Sequence, residues 1–444
     1  MIIPMRVSVI GCGYLGAVHA AAMAEVGHDV VGIDVDPARI ALLSEGRAPF
    51  HEPGFEEVLR RNVDNGRLTF STDSSAAADR QVHFVCVGTP QSADGLAADM
   101  TYVNAAVDAL LPHLGAHPEG RTLVVGKSTV PVGTAATLAA RVAPTGAVLV
   151  WNPEFLREGF AVQDTLSPDR LVYGLPADPQ DAEEAQQALD AVYASLLAQE
   201  IPRLTTDYAT AELVKVSANS FLATKISFIN AMSELCAATG ADVTQLAAAI
   251  GYDERIGSKF LRAGIGFGGG CLPKDIRAFM ARADELGVGD AVGFLREVDH
   301  VNSRQRDRAV DLARTAVGGD LSGKRVAVLG AAFKPDSDDM RNSPALDIAG
   351  SIAAEGASVV VTDPAAGPVL AARPSPFEVA DDAVAAVTGA DVVLLLTEWK
   401  QFRALDPAEL KQHVGTASIV DGRNALDPAR WRAAGWTYAG MGRP

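Results

Sequence analysis

Arg6-Val7-Ser8-Val9-Ile10-Gly11-Cys12-Gly13-Tyr14-Leu15-Gly16 decides the fold. A short apolar run of β type passes through Gly-x-Gly-x-x-Gly into a helical pattern over residues 15–26. In that context Gly11 makes the tight turn and Gly13 lets a pyrophosphate approach the backbone. Gly16 lets helix and strand pack closely, and the helix N-terminus faces the negative charge. A second apolar run, residues 30–33, ends at Asp34, about 20 residues on, where a carboxylate accepts from the adenosine ribose hydroxyls and repels a 2′-phosphate. The expected ligand is NAD rather than NADP. The alternative is a glycine turn in a Rossmann-like domain that binds nothing.

Outward from this unit, apolar runs at residues 82–87, 122–125 and 148–150 alternate with helical patterns such as residues 102–114. Strand–helix alternation predicts a parallel sheet with helices on both faces. The pattern returns at Arg325-Val326-Ala327-Val328-Leu329-Gly330 and again at residues 358–363, 391–396 and 418–421. The expected fold is therefore α/β, with two Rossmann-like doubly wound domains. From about Asp207 to Cys236 the chain lacks Pro and Gly and is apolar at helical spacing (Leu213, Val216, Phe221, Ile226, Ile229, Met232). That predicts a connecting helix about 45 Å long at ~1.5 Å per residue. It is either a dimer-forming spine or a buried core helix. The expected parts are residues 1–203 for dinucleotide binding, 204–317 for a central helical domain and 318–444 for the second Rossmann-like domain.

Composition sets the limits. The 444 residues carry 55 acidic against 38 basic side chains, a formal net charge of −17, which argues against nucleic acid or an anionic membrane as partner. With 48% hydrophobic and 6% aromatic residues the chain reads as a globular protein of about three domains. Four cysteines make no disulfide framework and none has zinc-ligand spacing, so no metal is expected and the default setting is reduced and cytoplasmic. Met1-Ile2-Ile3-Pro4-Met5-Arg6 shows no signal-peptide core, and no apolar stretch reaches membrane-spanning length.

Five motifs carry chemistry. Val87-Gly88-Thr89-Pro90 and residues 127–134, Lys127 to Thr134, close two buried strands, where ligands bind in such sheets; turn chemistry and helix capping would also explain them. Asn152-Pro153-Glu154-Phe155-Leu156-Arg157-Glu158-Gly159 is denser than a solvated turn requires. Lys215 and Asn219 lie four apart on one helix face, and a lysine there either pairs with an acid or works in a site. The most telling segment is Gly264-Ile265-Gly266-Phe267-Gly268-Gly269-Gly270-Cys271-Leu272-Pro273-Lys274-Asp275. Five glycines in seven residues suit a loop approached closely by a ligand. The start of a helix and Lys274 would stabilise a thiolate at Cys271, with Asp275 one turn on. An alcohol dehydrogenase needs no nucleophile. A thiolate is useful for carrying an aldehyde on to a carboxylate through a thiohemiacetal and a thioester.

These motifs, with Ala332-Phe333-Lys334-Pro335-Asp336-Ser337-Asp338-Asp339-Met340-Arg341-Asn342-Ser343-Pro344, resemble the UDP-glucose 6-dehydrogenase family from Arg6 to about Asn424, in the same order. The resemblance implies oxidation of the C6 alcohol of UDP-glucose to a carboxylate with two NAD. It implies Cys271 as nucleophile, Glu158 and Thr129 positioning or activating the hydrolytic water, Lys215 and Asn219 steadying the C6 oxygen, and Asp275 with a water as base. Gly11, Gly13, Gly16, Asp34, Thr89, Thr129, Glu158, Lys274 and Arg341 match cofactor contacts, and Arg39 stands where a lysine is usual. Phe155, Leu156, Arg157, Glu158, Lys215, Asn219, Phe260, Leu261, Gly264, Gly268 and Lys334 match the sugar-nucleotide side. Gly270 replaces a frequent serine.

A homodimer through the central helix is expected. Three other readings stay open: GDP-mannose 6-dehydrogenation, a two-electron dehydrogenase of the 6-phosphogluconate or hydroxyacid type, and a catalytically silent NAD-binding scaffold. The two-electron reading leaves Cys271 and the second α/β domain unexplained.

Overall fold

A computed structural model of the chain describes residues 4–93, 95–115 and 120–444; Met1, Ile2 and Ile3, read above as the lead-in, lie outside the described residues. The backbone divides into two units, residues up to Ala218 with Arg277–Gly287, and Asn219–Ile276 with Val288–Pro444.

In the first unit the strands are β1 (Arg6–Ile10), β2 (Asp29–Ile33), β3 (Leu68–Ser71), β4 (Val82–Val85), β5 (Leu123–Gly126), β6 (Val148–Trp151), β7 (Leu171–Leu175) and β8 (Arg203–Asp207). They form one sheet in the order β3-β2-β1-β4-β5-β6-β7-β8. Successive side chains point to opposite faces. Val7, Val9, Phe84, Val125 and Val150 therefore enter one core layer, and Ile10, Val31, Val85, Val124 and Leu149 the other. Burial on both faces is why these strands read as continuous apolar runs.

The sheet departs from the expected parallel pattern at one place: β7 meets β6 antiparallel, with Trp151 opposite Gly174. The link between them holds only a six-residue helix, Ala161–Leu166, too short to carry the chain back to the far edge of the sheet for a parallel return. Smaller differences lie at element ends. The expected strand 82–87 stops at Val85, and the helix expected over 102–114 is Thr101–Leu110, followed by a 3-10 turn at Leu111–His113 that contains Pro112.

In the second unit β9 (Arg325–Leu329), β10 (Ser358–Thr362), β11 (Glu378–Val379), β12 (Val392–Leu395), β13 (Ser418–Asp421) and β14 (Thr437–Gly440) form a parallel sheet in the order β11-β10-β9-β12-β13-β14. Both sheets thus contain the order 3-2-1-4-5-6 of dinucleotide-binding folds, with its reversal beside the first strand. A 32-residue helix, Tyr208–Thr239, runs from the first unit's last strand into the second unit. Among the described residues no helix is long and apolar enough to cross a membrane.

Candidate active site

The first unit gathers polar groups at the carboxyl ends of β1, β2, β4 and β5. Gly11 has φ +88°, and a Cβ there would lie 2.5 Å from the Val87 side chain. A Cβ on Gly16 would lie 1.7 Å from the Gly11 carbonyl oxygen, so both positions exclude any other residue. A Cβ at Gly13 would meet no protein atom within 4 Å. The open side of the turn is therefore the side a pyrophosphate needs. Asp34 ends β2, accepts from the Cys12 N–H at 2.7 Å, and is gripped by Arg39 Nη1 at 2.9 and 3.0 Å. The Thr89 hydroxyl donates to the Thr129 carbonyl at 2.7 Å, which joins the ends of β4 and β5.

The 152–159 turn in the same unit is held from several sides. Glu52, almost fully buried, accepts from the Gly159 and Ala161 N–H groups at 2.6 and 2.7 Å and from the Tyr14 hydroxyl. Burial and the Glu52 and Glu158 charges push the Tyr14 phenol well up. Lys215 Nζ lies 3.0 Å from Glu154 Oε1, both side chains largely buried, and the other Glu154 oxygen accepts from the Leu156 N–H at 2.7 Å. Phe155 presents its ring to Arg170 at 3.9 Å and to Lys215 at 5.6 Å. Arg157 is turned outward: it is exposed and chelates Asp164 at 2.9 and 2.6 Å.

In the second unit the glycine loop is fastened by buried amides. Asn230 Oδ1 accepts from the Gly264 N–H at 2.9 Å. Asn302 pairs with Phe267 twice, accepting its N–H at 2.7 Å and donating to its carbonyl at 3.0 Å. The Gly269 N–H donates to the Arg341 carbonyl, and a Cβ on Gly268 would lie 2.2 Å from the Asn342 carbonyl oxygen. At Gly270 a Cβ would lie 2.4 Å from Arg341 Cζ, so the guanidinium, paired with Asp339, occupies the place that a side chain at position 270 would need.

The loop delivers Cys271 directly ahead of the helix Leu272–Glu285. Of the four cysteines, none of which is in a disulfide, Cys271 alone is exposed. The Asp275 N–H donates to its carbonyl at 3.0 Å. The buried Asp275 carboxylate accepts from Asn219 Nδ2 at 2.6 Å and from Lys274 Nζ at 2.5 Å. Phe260 has φ +65°, a conformation costly for an aromatic residue, while Leu261 next to it is buried in a small core with Ile229 and Cys236. Lys334 lies over the Phe333 ring.

The residues expected from sequence thus fall into two sets. Gly11, Gly13, Gly16, Asp34, Arg39, Thr89, Thr129, Phe155, Leu156, Arg157, Glu158 and Lys215 belong to the first unit; Asn219, Phe260, Leu261, Gly264, Gly268, Cys271, Lys274, Asp275, Lys334 and Arg341 belong to the second. Sequence reasoning singled out the turn that holds Glu154 without giving that residue a role, and passed over Asn230 and Asn302. The signal for Glu154 was a lysine on an apolar helix face needing a counter-charge; for the two asparagines it was an amide at a core position of a helix.

A dinucleotide turn on a doubly wound sheet and, in the same chain, one exposed thiol at the start of a helix define a nicotinamide-dependent dehydrogenase. Three family models match in chain order: the NAD binding domain of the UDP-glucose/GDP-mannose dehydrogenase family over residues 5–197, its central domain over 209–304 and its UDP binding domain over 327–428. The chain belongs to that family. It is 41% identical to a UDP-glucose 6-dehydrogenase of Pseudomonas aeruginosa, over 99% of this chain and 98% of the relative. A solved UDP-glucose dehydrogenase from Pyrobaculum islandicum aligns with TM-score 0.89 and 39% identity, covering 100% of this chain and 98% of that one. A UDP-D-ManNAc dehydrogenase from Pyrococcus horikoshii aligns with TM-score 0.85 at 26% identity, covering 99% of each chain.

Proposed function

We propose that the chain oxidises UDP-glucose to UDP-glucuronate with two NAD per sugar. The observation that carries the reading is Cys271, exposed at a helix start with Asp275 one turn on and tied to Asn219 and Lys274. The specificity rests on the relatives: identity is 39–41% to proteins named for UDP-glucose and 26% to one named for UDP-D-ManNAc.

NAD, when bound, takes the hydride in each oxidation. Asp275 accepts the C6 hydroxyl proton as the alcohol becomes an aldehyde. The Cys271 sulfur adds to the aldehyde carbon, giving a thiohemiacetal that becomes a thioester by losing a second hydride and releasing its hydroxyl proton to solvent. Lys215 and Asn219, a cation and a neutral donor one helical turn apart, stabilise the C6 oxygen as it gains negative charge. A carboxylate of the 152–159 turn directs water onto the thioester, releasing the acid and the thiol. One water enters and two hydrides leave per sugar. The cofactor is assigned to Gly11, Gly13, Gly16, Asp34, Arg39, Thr89, Thr129, Glu158, Lys274 and Arg341, and Asp34 favours NAD over NADP.

The same reading gives residues 1–203 the dinucleotide, 204–317 the nucleophile and 318–444, with Lys334, the diphosphate. It makes the enzyme a homodimer through the Tyr208–Thr239 helix. It puts the protein in the cytoplasm, where a thiol stays reduced.

The test counts NADH spectrophotometrically with UDP-glucose, GDP-mannose and UDP-N-acetylhexosamines offered separately. Two NADH per UDP-glucose are expected, with acid product lost in Cys271→Ser. One NADH per sugar, with full activity in that variant, returns the two-electron reading. Turnover with GDP-mannose alone returns the guanine-nucleotide one.

A further inference from the structure

Lys127 closes β5, and its side chain turns inward. Its ammonium nitrogen lies 3.0 Å from Asn152 Oδ1, 3.3 Å from the Asn152 carbonyl oxygen and 3.4 Å from the Tyr193 hydroxyl oxygen. The Tyr193 hydroxyl spends its own proton on Asn152 Oδ1 at 2.7 Å, so it meets Lys127 as an acceptor. Asn152 Nδ2 in turn donates to the Val172 carbonyl. Three acceptors around one nitrogen call for three N–H groups, which an ammonium has and a neutral amine lacks. The rings of Phe84 and Tyr193 stand 5.8 and 5.9 Å away, so the cation has little solvent to fall back on.

A buried cation costs stability, and a methionine would fill the same slot without that cost. What the cation holds is the first residue of Asn152-Pro153-Glu154. Asn152 is gripped by side chain and carbonyl at once, Pro153 stiffens the next step, and Glu154 then meets Lys215. We propose that Lys127, as an ammonium, is a positioning residue for the dehydrogenase reaction. It fixes the turn that presents Glu154 to Lys215, so turnover depends on its charge. The inference rests on the function proposed above.

Burial pushes the Lys127 ammonium down to about 8; the Cys86 thiol and Glu154 carboxylate oppose the shift and the Lys215 charge adds to it. The groups facing it are Cys86, itself pushed up to about 12 by burial, Glu154, Lys215, Tyr193 and His19, which burial and the Lys127 charge hold neutral. The sign follows. Lys127 loses its third N–H as pH rises through about 8, so turnover falls on the alkaline side. The native state is penalised for the buried charge below that pH and relieved above it, as a depressed base requires.

The experiment is a kcat profile from about pH 6.5 to about 9.5 with UDP-glucose and NAD, for the full-length wild type and Lys127→Met. Wild type is expected to lose kcat with a midpoint near 8. In Lys127→Met kcat at neutral pH falls roughly tenfold or more, the alkaline limb disappears and KM for NAD stays within about twofold. A variant that keeps wild-type kcat, or keeps the limb, overturns the proposal. Tyr193→Phe is the second arm and applies even if Lys127→Met does not fold. Removing one acceptor should move the limb to lower pH, and an unmoved limb overturns the proposal. A wild type that turns over no nucleotide sugar overturns the dehydrogenase reading and this inference with it.

Discussion

Glu154 and Glu158 are four residues apart in one turn, yet their surroundings differ enough to separate their roles. Glu154 is largely buried, with one oxygen on Lys215 and the other on the Leu156 N–H. Glu158 sits near the Tyr14 phenol, on the dinucleotide side of the unit. If Lys215 steadies the C6 oxygen as proposed, a carboxylate fixed against it is better placed to direct the water of the proposed thioester hydrolysis, whereas Glu158 suits a cofactor contact. Glu154→Gln is expected to release about two NADH per active site and then stall, with steady-state kcat down ~10²-fold or more. Mass spectrometry of the Cys271 peptide should then show a retained sugar acyl group. Accumulation in Glu158→Gln and not in Glu154→Gln would assign the base to Glu158. Cys271 was readable from sequence because glycines, cysteine, lysine and aspartate are adjacent in the chain. The Glu154–Lys215 pair was not, because its members lie on different elements and only folding sets them 3.0 Å apart.

At the scale of elements, the glycine loop has no regular structure of its own and depends on the helices around it. Asn302, on the helix Phe294–Ala316, replaces a missing strand partner by satisfying both polar groups of Phe267. Asn302→Ala leaves a buried N–H and carbonyl unpaired, at about 1–3 kcal/mol each, and frees the segment four residues before Cys271. The expected outcome is a fall in urea midpoint together with a fall in kcat larger than the rise in KM for NAD, because the loop loses its register while the dinucleotide sheet does not. Loss of stability with kcat intact would make the pairing purely architectural. The strands that sequence reading found are the interior ones, with both faces buried. The strands it missed include all four sheet edges: β3, β8, β11 and β14. Edge strands are short and half-solvated, as in Arg203–Asp207, whose residues are mostly exposed, so no apolar run announces them. The antiparallel entry of β7 was equally hidden, since strand direction depends on the length of a connection, not on the strand's own residues.

At the scale of the whole molecule, one sheet plan appears twice and is put to two uses. In the first sheet Asp34 accepts from the Cys12 N–H and faces Arg39 at the rim. In the second, Asp363 occupies the equivalent end of β10, but five donors consume it: the N–H groups of Ala331, Ala332, Ala365 and Ala366, and the Trp399 indole. Buried Ala332 stands where Gly13 leaves open space. The second sheet therefore keeps the framework and closes the ribose end to a dinucleotide, in keeping with its match to a UDP binding domain. The Tyr208–Thr239 helix shows where single-sequence reading stops. Phe221 and Ile229 read as one set, but Ile229 is fully buried while Phe221 is 67% exposed, in line with Phe228 and Leu235, at seven-residue spacing and 50% and 59% exposed. Periodicity cannot tell a face that meets the chain's own core from a face that meets a second copy. A seven-residue apolar stripe in the second unit is the pattern helix pairing uses. Each of these side chains has roughly half of its ~1.5–3 kcal/mol of burial still to gain, so pairing them favours a dimer and a charge placed among them opposes it. Sedimentation at micromolar concentration should give a dimer for wild type and a monomer for Phe228→Glu, with the mutant's far-UV spectrum unchanged. A wild-type monomer at tens of micromolar would remove the spine role from this helix and leave the stripe unexplained.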